Sequence, residues 1–285
     1  MFWAVVVLSP SIVAVLIFIY AFILWTGFIS LVNWNDVTPT YGWVGLQNFV
    51  RLFQTPRFIT DLRNTVVFSV VFMGQCLIVG LMLAILLDQK VRGEAFFRTV
   101  YVLPFAISAI VTGISWKWLM NPGSGIDAIF DVLGLKFLEN KWFADPNIGI
   151  AATAIAAAWQ MSGYTMALYL AGLRGISGEL RDAAKIDGAS GVQYYRHVAI
   201  PLVMPVTLTA VIILGTISLR LFDLPASMTS SGPGFATDSP AFFMFQTTFQ
   251  QYKYSQGAAI GVVMLLIALL VIVPYFFTIR DEVEA

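Results

Sequence analysis

Charge is what this 285-residue chain has least of. Asp, Glu, Lys and Arg make up 11% of it, against roughly 25% in soluble domains. That leaves too little polar surface to cover a soluble core of this length. Disorder is excluded too, because it needs low hydrophobicity together with high net charge. The 16 basic and 16 acidic residues cancel, so nothing draws the chain to nucleic acid. A single cysteine, Cys76, rules out an internal disulfide framework and a cysteine-rich metal site. His197 is the one histidine, too few for a metal site. No Gly-Lys dipeptide occurs, so no G-x-x-x-x-G-K-[ST] phosphate loop is possible. There is no nucleophile–base pair and no pair of catalytic carboxylates. No catalytic residue, metal ligand or cofactor site is therefore expected in this chain.

What the chain has in quantity is apolar sequence. Hydrophobic residues make up 59% of it. Six charge-free stretches of at least 18 residues run along it. Each is long enough for a helix to cross about 30 Å of hydrocarbon. In lipid the backbone must bond internally, so each reads as a helix. The expected spans are about 5–31, 65–87, 100–120, 148–173, 198–220 and 258–279, in one transmembrane domain covering 1–285. The first lacks a basic leader segment, and its apolar run exceeds that of a signal peptide, so it reads as an uncleaved helix.

Six spans put both termini on one side. That side carries the loops 88–99 and 174–197 with Lys90, Arg92, Arg98, Arg174, Arg181, Lys185, Arg196 and Arg280. The opposite side carries as many basic residues, but spread through much longer loops. Short loops and helix ends weigh most in the positive-inside rule. Both termini are therefore expected in the cytoplasm.

The loop 174–197 is long for a helix–helix connection, where about 2–8 residues is usual. Ser177 suits an N-cap, and Glu179 sits in the first turn, where the helix dipole favours a carboxylate. Leu180, Ala183 and Ala184 share one face. Gly188 fits just past the C-terminus, where a left-handed residue is often needed. A second helical piece starts near Ser190 and enters the fifth span through Pro201, tolerated in a first helical turn. The pattern predicts a surface helix–turn–helix with a small-residue face. It lacks the Trp or Phe of a lipid-resting helix, which favours docking of another protein.

These residues resemble a known signature. Asp182-Ala183-Ala184, Asp187-Gly188 and the closing Val198-Ala199-Ile200-Pro201 are similar to the EAA motif of permease subunits of binding-protein-dependent ABC importers. Asp182 stands where the family usually has Glu. Further segments are similar to the carbohydrate-uptake branch and its maltose- and glycerol-phosphate-type first permease. They include Val44-Gly45-Leu46-Gln47-Asn48-Phe49, Phe97-Arg98-Thr99, Trp116-Lys117-Trp118-Leu119 and the loop from Thr229 to Thr237. The resemblance covers nearly the whole chain. It implies a type I ABC importer permease fold, with loop 174–197 as a coupling helix-turn-helix that docks on a cytoplasmic ATPase subunit through Glu179, Asp182, Ala183, Ala184, Asp187, Gly188 and Pro201. The implied partners are a second permease subunit, two ATPase subunits carrying ATP and Mg, an extracytoplasmic solute-binding protein, membrane lipid and a carbohydrate.

The richest polar cluster inside a span is Trp159-Gln160-Met161-Ser162-Gly163-Tyr164-Thr165. The fifth span adds Thr207, Thr209, Thr216 and Ser218, with Arg220 and Asp223 at its outer end reading as a local ion pair. By resemblance, the fourth and fifth spans line the translocation path. Tyr164 then falls at a sugar-contacting aromatic, and Leu214, Ile217, Ser218 and Leu221 at the matching face. With Trp159 and Gln160 these form the candidate path. The family commonly has Pro where Gly163 stands. Hydroxyls in membrane helices also back-bond to their own carbonyls or join helices, and aromatics also form interfacial belts. The span cores hold no acidic residue, which argues against proton coupling and for an external motor. Two readings stand beside the sugar importer: the same machinery for a polyol or glycerol phosphate, and a gradient-driven secondary transporter. A reporter active only in the periplasm, fused to the C-terminus, is expected to be silent; activity there would reverse the topology.

Overall fold

The computed structural model describes the backbone of residues 2–89 and 91–284 and the side chains of 8–89 and 91–272. Lys90, the side chain of Arg280 and those of the last expected span beyond 272 lie outside the described residues.

Helix α1 runs through Phe2–Val15, a π-turn at Leu16–Ala21 and Phe22–Ser30. Two-residue strands β1 (Val32–Asn33) and β2 (Gly42–Trp43) pair antiparallel, with Val32 opposite Trp43. Then come α2 (Gln47–Gln54), α3 (Pro56–Asp88), α4 (Glu94–Val102), α5 (Ala109–Leu119), α6 (Ile126–Val132) and α7 (Gly149–Arg174). The surface element holds α8 (Gly178–Ile186) and α9 (Gly191–Tyr194), followed by a π-turn at Tyr195–Ala199. Helices α10 (Met204–Leu219), α11 (Pro240–Phe245) and α12 (Tyr254–Glu284) complete the chain.

Three helices among the described residues are long and apolar enough to cross a membrane: Leu8–Ser30, Pro56–Asp88 and Tyr254–Ile272. Helix α3 makes the environment plain. Val66, Val70, Ile78, Met82 and Leu86, on a slowly winding stripe at multiples of four residues, are each more than half exposed. Phe68, Phe72, Cys76 and Ala84, on a second row winding beside it, are buried. In water such a stripe would forfeit about 2 kcal/mol per side chain; against acyl chains it forfeits nothing.

The third and fifth expected spans are not straight. Glu94–Ala106 and Ala109–Leu119 meet at 98°, and Gly191–Leu202 and Met204–Leu219 at 63°. Each break has a proline. Pro104 sits in the short 3-10 turn that ends α4, and Ile107 after it is extended. Pro205 lies in the first turn of α10. Proline lacks the N–H that a continuous helix needs and clashes with the turn before it.

Helix α7 is different again. Its 26 residues reach about 39 Å at 1.5 Å per residue, ample for a span, but it is less apolar than the others. The reason is shielding: Ala152, Ala154, Ala156, Ala157, Ala158, Thr165, Met166 and Tyr169 are all buried by protein. A helix hidden from lipid has no need of a lipid-like surface.

The chain forms two compact units: Met1–Leu62 with Pro240–Ala285, and Arg63–Ser239. In the first, α12 packs along the Phe22–Ser30 part of α1. Buried Asn48 donates to the carbonyls of Ser30 (2.8 Å) and Val32 (2.9 Å), bonding backbone at the end of α1. Arg57 lies 4.3 Å over the Phe243 ring and donates to Gln246 Oε1. In the second unit, α7 is the hub. Small residues let its neighbours come close. A Cβ on Gly80 of α3 would lie 2.8 Å from Thr165, and one on Gly163 would lie 1.8 Å from the Tyr101 carbonyl oxygen of α4. Tyr169 donates to Thr207 Oγ1 of α10 at 3.0 Å.

Gly163→Val is expected to lower stability by more than the about 1–3 kcal/mol usual for overpacking, since backbone blocks the new side chain. Gly74→Ala, with nothing within 4 Å of the new Cβ, is expected to be neutral or slightly stabilising. Unfolding midpoints in detergent check both, and an unaltered midpoint for Gly163→Val would refute the close approach.

Candidate functional site

Two places in the Arg63–Ser239 unit bring together residues singled out above. The first is a cavity of about 210 Å³ between α3, the broken third span, α7 and the C-terminal end of α10. Phe68, Phe72 and Phe105 give it aromatic walls, and Gln160, Arg220 and Asp223 give it polar ones. Phe68 and Phe72, one helical turn apart, stack at 5.3 Å. Phe105 stands here because Pro104 ends the helix before it.

Of the expected path residues, Gln160, Ile217 and Leu221 line this cavity. Tyr164 is half-buried, and its ring stacks on Phe105 at 5.1 Å with 22° between planes. The remaining three lie elsewhere. Trp159 meets Trp116 edge-on at 6.0 Å and lines a separate groove with Gln75 and Pro104. Leu214 is 1% exposed in the helix core. Ser218 is buried too: its Oγ donates to the Gly215 carbonyl and accepts from Ser69 Oγ, each at 2.8 Å. Arg220 and Asp223 do not form the local ion pair that their spacing predicts; Arg220 Nε instead donates to the Thr216 carbonyl at 3.4 Å.

Gln160 also has a structural task. Its Nε2 donates to the Ile107 carbonyl at 2.6 Å, at the break of the third span. A carbonyl freed from its helix at membrane depth needs such a donor. Composition alone does not reveal this bond, but Pro104 inside an expected span is the signal that a carbonyl nearby will be released. Phe68, Phe72 and Phe105 were also absent from the expected set; in an apolar span they read as core.

The second place is the helix–turn–helix. Ser177 Oγ accepts from the Glu179 N–H at 3.3 Å. Gly188 has φ +76°. Its N–H reaches the Lys185 carbonyl at 3.0 Å, and the Ala189 N–H reaches that of Ala184 at 2.9 Å, the paired closure of a Schellman motif. Ser190 and Gln193 form a reciprocal capping box for α9. Glu179, Asp182, Ala183, Asp187, Gly188 and Pro201 are exposed and Ala184 is half-buried. Two apolar side chains missing from the expected set, Ile186 and Val192, are 86% and 77% exposed. Arg181 bonds to Asp88 at the end of α3. Burial works against its charge, but the hydrogen bonds it donates to Asp88 and Tyr194 and the Asp88 charge hold the guanidinium above its usual pKa.

Within the Arg63–Ser239 unit, a central helix shielded by protein beside the lipid-facing α3, with a small-faced helix–turn–helix, is the arrangement of a transport permease. The chain belongs to the family described as the binding-protein-dependent transport system inner membrane component, which it matches over residues 76–280. It is 43% identical to the probable ABC transporter permease protein PH1215 of Pyrococcus horikoshii, over 96% of this chain and 94% of that one. It is 34% identical to the xylose/arabinose import permease protein XacH of Haloferax volcanii, over 88% and 81%. It superposes with a TM-score of 0.78, at 21% identity and over 98% and 96% of the chains, on a permease chain of a bacterial ABC transporter involved in the import of the acidic polysaccharide alginate. The chain is thus a multi-pass inner-membrane permease with the type I importer fold, several apolar helices and a surface helix–turn–helix.

Gln160→Leu would leave the Ile107 carbonyl without its donor. A loss of about 1–3 kcal/mol is expected, read as a lower unfolding midpoint in detergent. An unchanged midpoint would remove Gln160 from this role.

Proposed function

We propose that this chain is one permease subunit of an ATP-driven importer that moves a sugar or oligosaccharide delivered by an extracytoplasmic binding protein. The observation that carries the reading is the coupling element. Its helix ends in a left-handed glycine, and Ala183, Ile186 and Val192 stand uncovered at the surface. An apolar, small-residue face of this kind fits a cleft on another protein. The chain has no phosphate loop of its own, so hydrolysis belongs to partner ATPase subunits, two in number, with a second permease completing the path. Both termini then lie in the cytoplasm, on the side of the coupling element.

The solute reading rests on the cavity and on the relatives. Phe68, Phe72 and Phe105 offer ring faces suited to the C–H face of a sugar, and Gln160 offers a carboxamide oxygen. Relatives named for xylose/arabinose import and for alginate import support the carbohydrate class. Tyr164 acts behind the wall, by fixing Phe105. A polyol or glycerol phosphate remains the second reading. The Arg220 guanidinium beside the cavity is the observation that favours it.

Mechanically, ATP binding draws the two ATPase subunits together and carries the docked coupling helices with them. The spans rock, and the cavity opens outward to the loaded binding protein. Reconstitution with the partner subunits tests this. The loaded binding protein is expected to stimulate ATP hydrolysis, and Gly188→Trp is expected to insert normally yet abolish that stimulation. Normal stimulated hydrolysis in Gly188→Trp would remove the coupling role from this element.

A further inference from the structure

Asp88 is an unusual last residue for a membrane helix. It ends the 33-residue α3, and its side chain is 7% exposed. The negative end of the helix dipole disfavours a carboxylate there, and burial disfavours it again. It is held by partners from two other elements, both bonded to the same oxygen, Oδ2. One is the Arg181 guanidinium of α8. The other is the Tyr195 hydroxyl, which donates at 2.6 Å from the π-turn leading into the fifth span. Arg181 also lies over the rings of Tyr194 and Tyr195, at 5.1 and 5.9 Å. The end of the second span, the coupling helix and the entry to the fifth span therefore meet at one atom.

The arrangement around α8 is directional. At 100° per residue, Arg181 faces away from Ala183 and Ile186, so the exposed docking face and the tie to Asp88 lie on opposite sides of the helix. Lys185 pairs within α8, with Asp182 at 3.0 Å. Among the described residues, Arg181 is thus the α8 side chain whose ion pair leaves the helix. Arg174, just before α8, bonds to Glu94 at 2.6 Å and fastens the other end of the same loop.

We propose that Asp88 is a positioning residue for transport: it makes the coupling helix and the second span move as one body, so that displacement of α8 reaches the helix lining the cavity through Phe68 and Phe72. This rests on the importer reading above. Breaking the tie leaves docking and hydrolysis intact and disconnects them from the spans.

The test uses the complete transporter in proteoliposomes with its loaded binding protein, and reads solute imported per ATP hydrolysed. Asp88→Asn keeps volume and removes charge; a fall of about ten-fold in that ratio is expected, in keeping with loss of a charge-assisted bond. Tyr195→Phe, which removes one hydroxyl, is expected to lower it about two-fold, and Asp88→Glu is expected to recover most of it. Subunit stoichiometry and basal hydrolysis stay at wild-type levels. An unchanged ratio in Asp88→Asn overturns the proposal. So does a wild-type ratio in Tyr195→Phe if Asp88→Asn fails to assemble. The wild-type complex, assayed in parallel, separates the two ideas. Stimulated hydrolysis there with unchanged variants removes the tie alone; no stimulation there removes the importer reading and the tie with it.

Discussion

A carbonyl or N–H inside hydrocarbon has no water to turn to, and the Arg63–Ser239 unit is arranged around that fact. A straight helix meets the demand by itself, but a permease needs helices that bend. Pro104 and Pro205 supply the bends and release backbone groups at depth. Side chains then answer: Gln160 of the central helix bonds the Ile107 carbonyl, and Thr207, which donates to the Val203 carbonyl at the second bend, accepts in turn from Tyr169 of α7. The polarity that makes α7 look least like a span is what allows its neighbours to be irregular.

The same demand limits what the path can offer a solute. Ser162, Thr165, Thr209, Thr216 and Ser218 all donate to carbonyls of their own helices. Those hydroxyls are spent on structure. What faces the cavity is mainly ring surface with a carboxamide and two charged groups near its edge. Such a surface holds a solute weakly. Weak holding suits a step whose purpose is release, and leaves recognition to the protein that delivers the solute.

Legibility in the sequence followed the length scale of the physics. Spans are set by runs of some twenty apolar residues, so absent charges locate them. The helix–turn–helix is set by local capping chemistry, so Ser177, Gly188 and Ser190 stand where their neighbours in sequence say they should. The cavity is set by which face of one helix meets another, and no local rule fixes that. Trp159 and Gln160 are adjacent in sequence yet lie against different neighbours, because one residue turns a helix by about 100°. Ser218 lies at a face matched by resemblance, but Ser69, 149 positions away, takes its hydroxyl. Asp88 is legible on the same terms: a carboxylate closing a long charge-free run, at the end of a helix that repels it, requires a cation nearby. Which of the loop's four basic residues supplies it, Arg181, is decided by how α8 lies against α3.

Gly163 carries one more consequence. Where it faces Tyr101, α7 and α4 meet backbone to backbone, with no side chain between them. Interdigitated side chains resist rotation, since every knob must leave its hole before the helices can turn. A bare backbone contact has no knobs to withdraw. At this point the fourth span and the first limb of the third are not interlocked by side chains, and what fixes their angle is the Phe105–Tyr164 stack and the Gln160–Ile107 bond on either side of it.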